Sequence, residues 1–225
     1  MKFTDLTLII PAKKEQDSLP IVIKELDHLN LIKMVVLEKD DTETIESIKD
    51  LNCNILFQSN KGYGDALING INHTKTKYFC IFNADGSFDP KEISEMFSII
   101  QNDSIDFVFG SRYLKSASSD DDTLITYVGN KLFSLLGKLL FKLPINDILY
   151  TFVMGDTTKT KKLNLSQKDF SFCVELPIKA HRANCKLTSN IAHERSRIAG
   201  VKKVNAFKDG FLILCQMIRL FFKNN

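Results

Sequence analysis

The polar turn Asn83-Ala84-Asp85-Gly86-Ser87 is the stretch of this chain best placed to do chemistry. It follows a short apolar run, Tyr78 to Phe82, of the kind that forms a strand buried on both faces. Asp89-Pro90 then opens a new segment, with Glu92 in its first turn and Ile93, Met96, Ile99 and Ile100 at helical spacing. That pattern predicts a helix with Asp89 as N-cap and Pro90 at the first helical position. A carboxylate thus stands between the carboxyl end of a buried strand and a helix start, where open α/β sheets bind ligands. Asp85, with the Ser87 hydroxyl two residues on, is a candidate ligand for Mg2+ or Mn2+ held against a substrate diphosphate. Hard cations take oxygen donors and keep phosphate as a partner. Capping of a tight turn is the alternative use of Asn83 and Asp85.

The elements that would position this turn recur in order. Leu6 to Ile10, Met34 to Leu37, Asn54 to Phe57 and Tyr78 to Phe82 read as strands. Helices are expected from Leu19, capped by Ser18, to about Leu29, from Thr42 to Asp50, and from the Gly62-Gly64 segment to His73. Strand and helix alternate, which predicts an α/β fold with a parallel sheet between helical layers. The strands end in Lys13-Lys14-Glu15, Glu38 to Asp41, Ser59 to Gly64 and Asn83 to Ser87. In a parallel sheet these loops converge on one edge, so carboxylates, lysines and glycines would share a cleft. Asp106 to Phe109 is a further strand, ending at Gly110-Ser111-Arg112-Tyr113.

Beyond it, Lys115 to Asp122 is small, polar and acidic, and reads as a flexible loop, either a lid or a mobile insertion. Thr123 to Leu143 is an amphipathic helix rich in Leu and Phe, with Lys131, Lys138 and Lys142 at near-helical spacing, and Phe207 to Lys223 is a second amphipathic stretch, rich in Phe, Leu and Ile, with a basic end. Each could pack in a core, join a dimer, or lie on a membrane surface. Asp147 to Val153 and a helix from Phe170 to Arg182 lie between them.

Composition narrows the function. The chain has 225 residues, 44% hydrophobic and 25% charged, which suits one α/β domain with a small appendage. A net charge of +3 and no recognition motif argue against a nucleic-acid binder. The five cysteines are scattered without a CxxC pair and read as thiols in a reducing compartment, not as a zinc site. The N-terminal apolar run is too short for a signal peptide, and no run is read as a membrane span. The expected location is the cytoplasm, with peripheral contact on the inner face of the membrane as a further expectation.

In sequence order, the motifs resemble family 2 glycosyltransferases of the GT-A fold, and among them the dolichyl- and polyprenyl-phosphate sugar transferases. IIPAKKEQDSL is similar to the family's opening IIPAYNEEESL, and NKGYGDA to its N-x-G-x-G-x-A segment. FNADGSFDPKEI resembles the divalent-metal motif, FGSRY matches GSRY, and INDILYTF is similar to the D-x-x-S-G-F region. Phe172 to Glu175 resembles F-x-x-E, and Arg197 to Lys203 resembles R-x-x-G-x-S-K.

The resemblance runs from Leu6 to about Lys203 and implies an enzyme domain over residues 1–205; the amphipathic pattern beyond it reads as a C-terminal helix over 206–225, for membrane or oligomer contact. The resemblance implies roles for Pro11, Lys13 and Glu15 at the nucleotide base and ribose, and for Glu38 or Asp40 at the base. Asn83 and Ala84 stand at nucleotide positions, Asp85 and Ser87 at the metal, and Arg112, Arg197 and Lys203 at phosphates. The implied reaction inverts a sugar from a nucleotide-diphosphate sugar onto a lipid phosphate or a glycan hydroxyl. A hydroxyl needs a general base, for which Asp147 and Glu175 are candidates; a lipid phosphate does not. Asn83 replaces the first aspartate, Lys13-Lys14 replaces Tyr-Asn, Glu38-Lys39 replaces Asp-Asp, and Thr126 stands roughly where close relatives carry an arginine. These departures leave a non-catalytic nucleotide-binding member as the other reading.

Overall fold

A computed structural model describes residues 3–101, 104–200 and 203–223. Val201 and Lys202 of the last motif lie outside them. Strand β1 (Leu6–Pro11) runs parallel to β2 (Ile32–Leu37) on one side and to β4 (Tyr78–Ile81) on the other, and β2 pairs in parallel with β3 (Asn54–Phe57). Side chains along β1 alternate between two cores: Leu8 and Ile10 face one, Ile9 the other. This is why β1 reads as an unbroken apolar run. The first core is closed by α1 (Leu19–Glu25) and α4 (Lys91–Ile100). The second is closed by α3 (Tyr63–His73), α7 (Phe172–Arg182) and α8 (Ala206–Phe222).

Beyond β4 the sheet departs from simple alternation. Its order is β3-β2-β1-β4-β7-β5-β8, with β7 (Val153–Asp156) antiparallel to both β4 and β5 (Phe107–Ser111), and β8 (Leu187–Ile191) parallel to β5. The expected mostly parallel α/β sheet is present, and β7 is its exception. The VMGD of β7 carries no strand signal, because Gly155 replaces a side chain. A Cβ there would lie 2.7 Å from the Phe107 ring and 2.9 Å from that of Phe79. Edge strand β8 is polar and half-buried, so it too is silent in the sequence. The short helix α6 (Thr157–Lys162) was likewise not expected. The chain leaves β1 toward β2 on one side and later fills β4 on the other. The crevice at such a switch opens at the carboxyl ends of β1 and β4, between Pro11–Glu15 and Asn83–Ser87.

Several local expectations are corrected. The first helix stops at Glu25, and a 3₁₀ turn covers Asp27–Leu29 before Asn30 takes a left-handed φ of 47°. Ser18 does not cap that helix; its hydroxyl donates to Glu15 Oε2 at 2.8 Å. The 115–122 segment is tied down rather than free. Strand β6 (Ser118–Ser119) pairs with β9 (His193–Glu194), and Asp120 N donates to Glu194 O at 2.8 Å. Helix α2 (Thr42–Ile48) and helix α5 (Leu124–Phe141) fall where expected. Thr123 caps α5, its hydroxyl accepting from Thr126 N and Thr126 Oγ1 accepting from Thr123 N. Helix α5 is, however, long and apolar enough to cross a membrane, against the reading that no run reaches that length.

The glycine segment Asn60–Ala66 is a packing device. A Cβ on Gly64 would stand 2.1 Å from the Gln167 carbonyl oxygen, and one on Gly62, at φ 122°, 2.1 Å from that of Lys168. Asp65 holds the turn by accepting from Asn60 N at 2.9 Å and Asn60 Nδ2 at 3.0 Å. Gly64→Ala is expected to cost about 2 kcal/mol of stability, since backbone must move to admit the methyl group. An unchanged urea midpoint in that variant would contradict this account.

Candidate functional site

Asp85 sits on a turn that its own side chain helps to shape. Its Oδ1 accepts from Ser87 N at 3.0 Å and from Ser87 Oγ at 2.7 Å. Gly86 between them has φ 81°, and a Cβ on it would fall 2.4 Å from Ile198 Cδ1. Asp89 Oδ1 accepts from Lys91 N at 3.0 Å, but the N-cap position of α4 falls on Pro90 rather than on Asp89, and the regular turns begin at Lys91. Asn83 is held by side chains: Tyr63 Oη donates to its Oδ1 at 3.3 Å, and its Nδ2 donates to Ser87 Oγ at 3.4 Å. Ala84 is buried in the first core, so only its backbone could meet a ligand.

The chain from His193 to Ile198 crosses over this turn. Ile198 N donates to Asp85 O and Arg195 N to Ser87 O, both at 2.8 Å. Arg197 Nη1 lies 3.4 Å from Asp85 Oδ2, while its Nη2 meets Asp121 Oδ2 at 3.1 Å. Burial works against the Arg197 charge, but Asp121 and Asp85 together hold its pKa above the usual arginine value. Arg195 forks onto Glu25 at 2.7 and 3.0 Å and donates to the carbonyls of Gly86 and Phe88. Lys203 pairs with Glu15, whose other oxygen takes the Ser18 hydroxyl. Asp85, Arg197, Glu15 and Lys203 are thereby gathered around one crevice.

At the ends of β1, β2 and β3 lies a second polar group. Glu38 Oε1 meets Lys13 Nζ at 2.9 Å, and its Oε2 lies 3.6 Å from Lys61 Nζ. Lys61 also lies 4.0 Å from the exposed Asp40. Pro11 closes β1 beside them, and Lys14 takes φ 52° with its N–H on Asp41 Oδ2 at 2.7 Å.

Three expected site residues are engaged elsewhere. Arg112 donates through Nε and Nη2 to Asp147 at 2.7 and 3.1 Å, and through Nη1 to Glu194 Oε2 at 3.1 Å. Asp122 lies 3.7 Å from the same Nη1. The Arg112 side chain is 6% exposed and that of Asp147 0%. Burial disfavours the Arg112 charge, yet Asp147 and Glu194 raise its pKa well above the ordinary value. A phosphate contact by Arg112 and a general base at Asp147 do not match this arrangement. Glu175 is likewise committed: it accepts from Ser166 N and Gln167 N at 2.9 to 3.1 Å and pairs with Lys179 at 2.8 Å. It pins the 166–169 segment against which Gly62 and Gly64 pack.

A family model described as Glycosyl transferase family 2 matches residues 7–163. The chain belongs to glycosyltransferase family 2. A UDP-N-acetylglucosamine–dolichyl-phosphate N-acetylglucosaminyltransferase of Methanococcus voltae is 30% identical to it over 157 residues, covering 59% of this chain and 62% of that protein. An uncharacterized protein of Methanocaldococcus jannaschii is 22% identical, with 95% and 93% covered. Among solved structures, glucosyl-3-phosphoglycerate synthase of Mycobacterium tuberculosis, with Mn2+, UDP and glucosyl-3-phosphoglycerate, superposes at TM-score 0.78 and 12% identity, covering 99% of this chain and 82% of that one. Mannosyl-3-phosphoglycerate synthase of Rubrobacter xylanophilus gives 0.72 at 13% identity, covering 96% and 72%. The fold is GT-A, and the resemblance read from the motifs is borne out.

In this glycosyltransferase a divalent cation has oxygen donors available at Asp85, Ser87 and Asn83, the chemistry that Mg2+ and Mn2+ prefer. Among the described residues no three His, Cys, Asp or Glu side chains are placed to hold a metal. One carboxylate suffices where substrate phosphates complete the shell, so the residues fit a cation that arrives with its nucleotide. Lys61 and Asp121 join the crevice from loops that the sequence placed at the strand ends and in the acidic 115–122 segment, while Arg195 joins it without any signal in the sequence. Only the fold shows which charge each of them faces.

Glu92, in the first turn of α4, is the titratable group with the clearest consequence. Burial pushes its pKa up to about 7 from an ordinary 4.5, against the N–H of His193 that donates to Oε1 at 2.6 Å. Its Oε2 is buried with no partner. Between pH 4.5 and 7 the folded chain keeps a proton that the unfolded chain has released. Stability from this group is therefore complete below that window and falls as pH rises through it. Glu92→Gln is expected to gain on the parent between pH 5 and pH 8 in urea midpoint. An equal offset at both pH values would refute it.

Proposed function

We propose that this glycosyltransferase moves a sugar from a uridine-diphosphate sugar to a polyprenyl phosphate, inverting the anomeric carbon, with Mg2+ or Mn2+. The observation that carries the acceptor is the engagement of Asp147 and Glu175. A sugar hydroxyl must lose its proton as it attacks, and neither buried carboxylate is open to take it. A lipid phosphate is already ionised and needs no base. Its oxygen attacks the anomeric carbon while the bond to the diphosphate breaks and the electron pair leaves with the diphosphate. Arg197 and Lys203 are the cations that would bind that charge, exchanging their present partners Asp121 and Glu15 for phosphate oxygens. Asp85, with Ser87 and Asn83, would hold the cation, which when bound neutralises the diphosphate further.

The uridine reading rests on the base end of the crevice and on the relatives, whose names carry UDP. Lys13, Glu38 and Lys61 present a donor, an acceptor and a donor in turn. The imide edge of uracil offers the complement, a carbonyl, an N–H and a carbonyl. Guanine and cytosine do not, so UDP is expected to raise the melting temperature more than GDP or CDP, and more with Mn2+ than without. Loss of all shifts would overturn the donor assignment.

A hydroxyl acceptor is the second reading, favoured by Asp121, which lies across Arg197 from Asp85 and could serve as base. Labelled UDP-sugar with polyprenyl phosphate or with soluble sugars separates the two. Label recovered only in soluble glycan would sink the lipid-acceptor reading.

A further inference from the structure

Helices α5 and α8 lie side by side on the body, with the rings of Phe141 and Phe221 6.1 Å apart. Each buries one face. On α5 it is Ser134, Gly137 and Phe141, with Ser134 Oγ accepting from Ile148 N at 3.2 Å. On α8 it is Ile213, Gln216, Met217 and Leu220. The opposite faces are apolar as well. Leu124, Val128, Leu132, Leu135 and Leu139 form an exposed stripe along α5. Phe207, Phe211, Leu214, Ile218 and Phe222 form one along α8. Spacings of three and four residues keep each stripe on one side of its helix. Helix α5 alone carries its stripe, from Leu124 to Leu139, for about 23 Å.

Two such stripes make an apolar platform larger than a protein leaves open without cause. Its charge says what covers it. Helix α5 contains no acidic residue, and the only one in α8, Asp209, accepts from Asn205 N at 2.7 Å. Lys131, Lys138, Lys142, Lys208, Arg219 and Lys223 stand along and at the ends of the two helices. Lys131 lies against the rings of Tyr113 and Tyr127, at 4.4 and 5.6 Å. A second copy docked by the same face would bring these cations together. An anionic headgroup layer over an apolar interior matches both features.

We infer that the α5–α8 face docks on the surface of an anionic lipid bilayer. Because its inner side is seated on the body, α5 lies along the bilayer and does not cross it. The stripe begins at Thr123-Leu124, directly after Asp121 and Asp122, which pair with Arg197 and Arg112. Docking therefore sets the crevice mouth at headgroup level. The docking itself holds whether or not the acceptor is a lipid.

Vesicle flotation of the full chain, without donor or metal, tests this independently of turnover. Binding to vesicles rich in phosphatidylglycerol should exceed that to pure phosphatidylcholine by about tenfold or more and weaken with salt. Leu135→Glu with Phe211→Glu should abolish flotation and leave the circular dichroism melt unchanged, since these side chains are 51% and 67% exposed. Three results would overturn the inference: no flotation on anionic vesicles, equal flotation on neutral ones, or resistance to carbonate extraction. A dimer in sedimentation that the double variant splits, with no flotation, would assign the face to a second copy instead.

Discussion

Asp85→Asn should lower sugar transfer by about a hundredfold or more and remove the metal-dependent part of nucleotide stabilisation, while the protein stays folded. Asparagine keeps an oxygen for the Ser87 N–H and hydroxyl, so the turn at Gly86 survives. What it loses is the one negative charge of the Asn83–Ser87 turn. Arg197, now 3.4 Å from Asp85, retains Asp121 as its partner, so no buried cation is stranded. The measurement is a pair of curves, melting temperature against UDP with and without Mn2+, alongside initial transfer rates. Metal-dependent turnover retained by the variant would remove Asp85 from the site. Asp85→Ala should give the same loss of activity with a further fall of about 1 kcal/mol in stability, from the missing turn hydrogen bonds.

The second large effect is on stability. Arg112→Met should destabilise the fold by about 3 to 5 kcal/mol, the range found when one partner of a buried ion cluster is removed. Asp147, Glu194 and Asp122 all face this guanidinium, and the Asp147 pair is bidentate. Methionine fills the space but leaves three carboxylates without their shared counter-charge. Asp147→Asn should cost less, because Glu194 still pairs with Arg112 and the excess negative charge falls. A urea midpoint for Arg112→Met within about 1 kcal/mol of the parent would mean the cluster is solvated, as exposed pairs are. The cluster also ties β5, the 119–122 segment and β9 together, so activity lost in this variant should track lost fold. That separates Arg112 from Asp85, whose replacement by asparagine should spare stability.

The contrast between these residues follows from where the chain places similar chemistry. Asp85 and Asp147 are both aspartates that the sequence offers as catalytic candidates, Asp85 from its polar turn at a strand end and Asp147 from the resemblance to the family. Asp85 stays at the crevice because Gly86 turns the chain outward and the strap from His193 to Ile198 meets it from above. Asp147 is carried inside because Ile145, Ile148 and Tyr150 around it are core residues. The alternation of these residues is legible in the sequence; the arginine waiting in the core is not.

The sequence by itself determined the first four strands, the helices between them, the loops at their carboxyl ends and the family. These are local properties: apolar runs, cap residues and glycines act over a few positions, and each leaves a mark in the residue order. Only the tertiary structure decided that β7 runs antiparallel between β4 and β5, since a strand's partner depends on segments far away in the chain. It also decided that Arg112, Asp147 and Glu175 are engaged inside the fold, that Arg197 and Lys203 close over Asp85 and Glu15, and that α5 and α8 present apolar faces outward. Charge pairing and burial are long-range outcomes, in which the same residue is a ligand or a strut according to what the fold brings within about 4 Å of it.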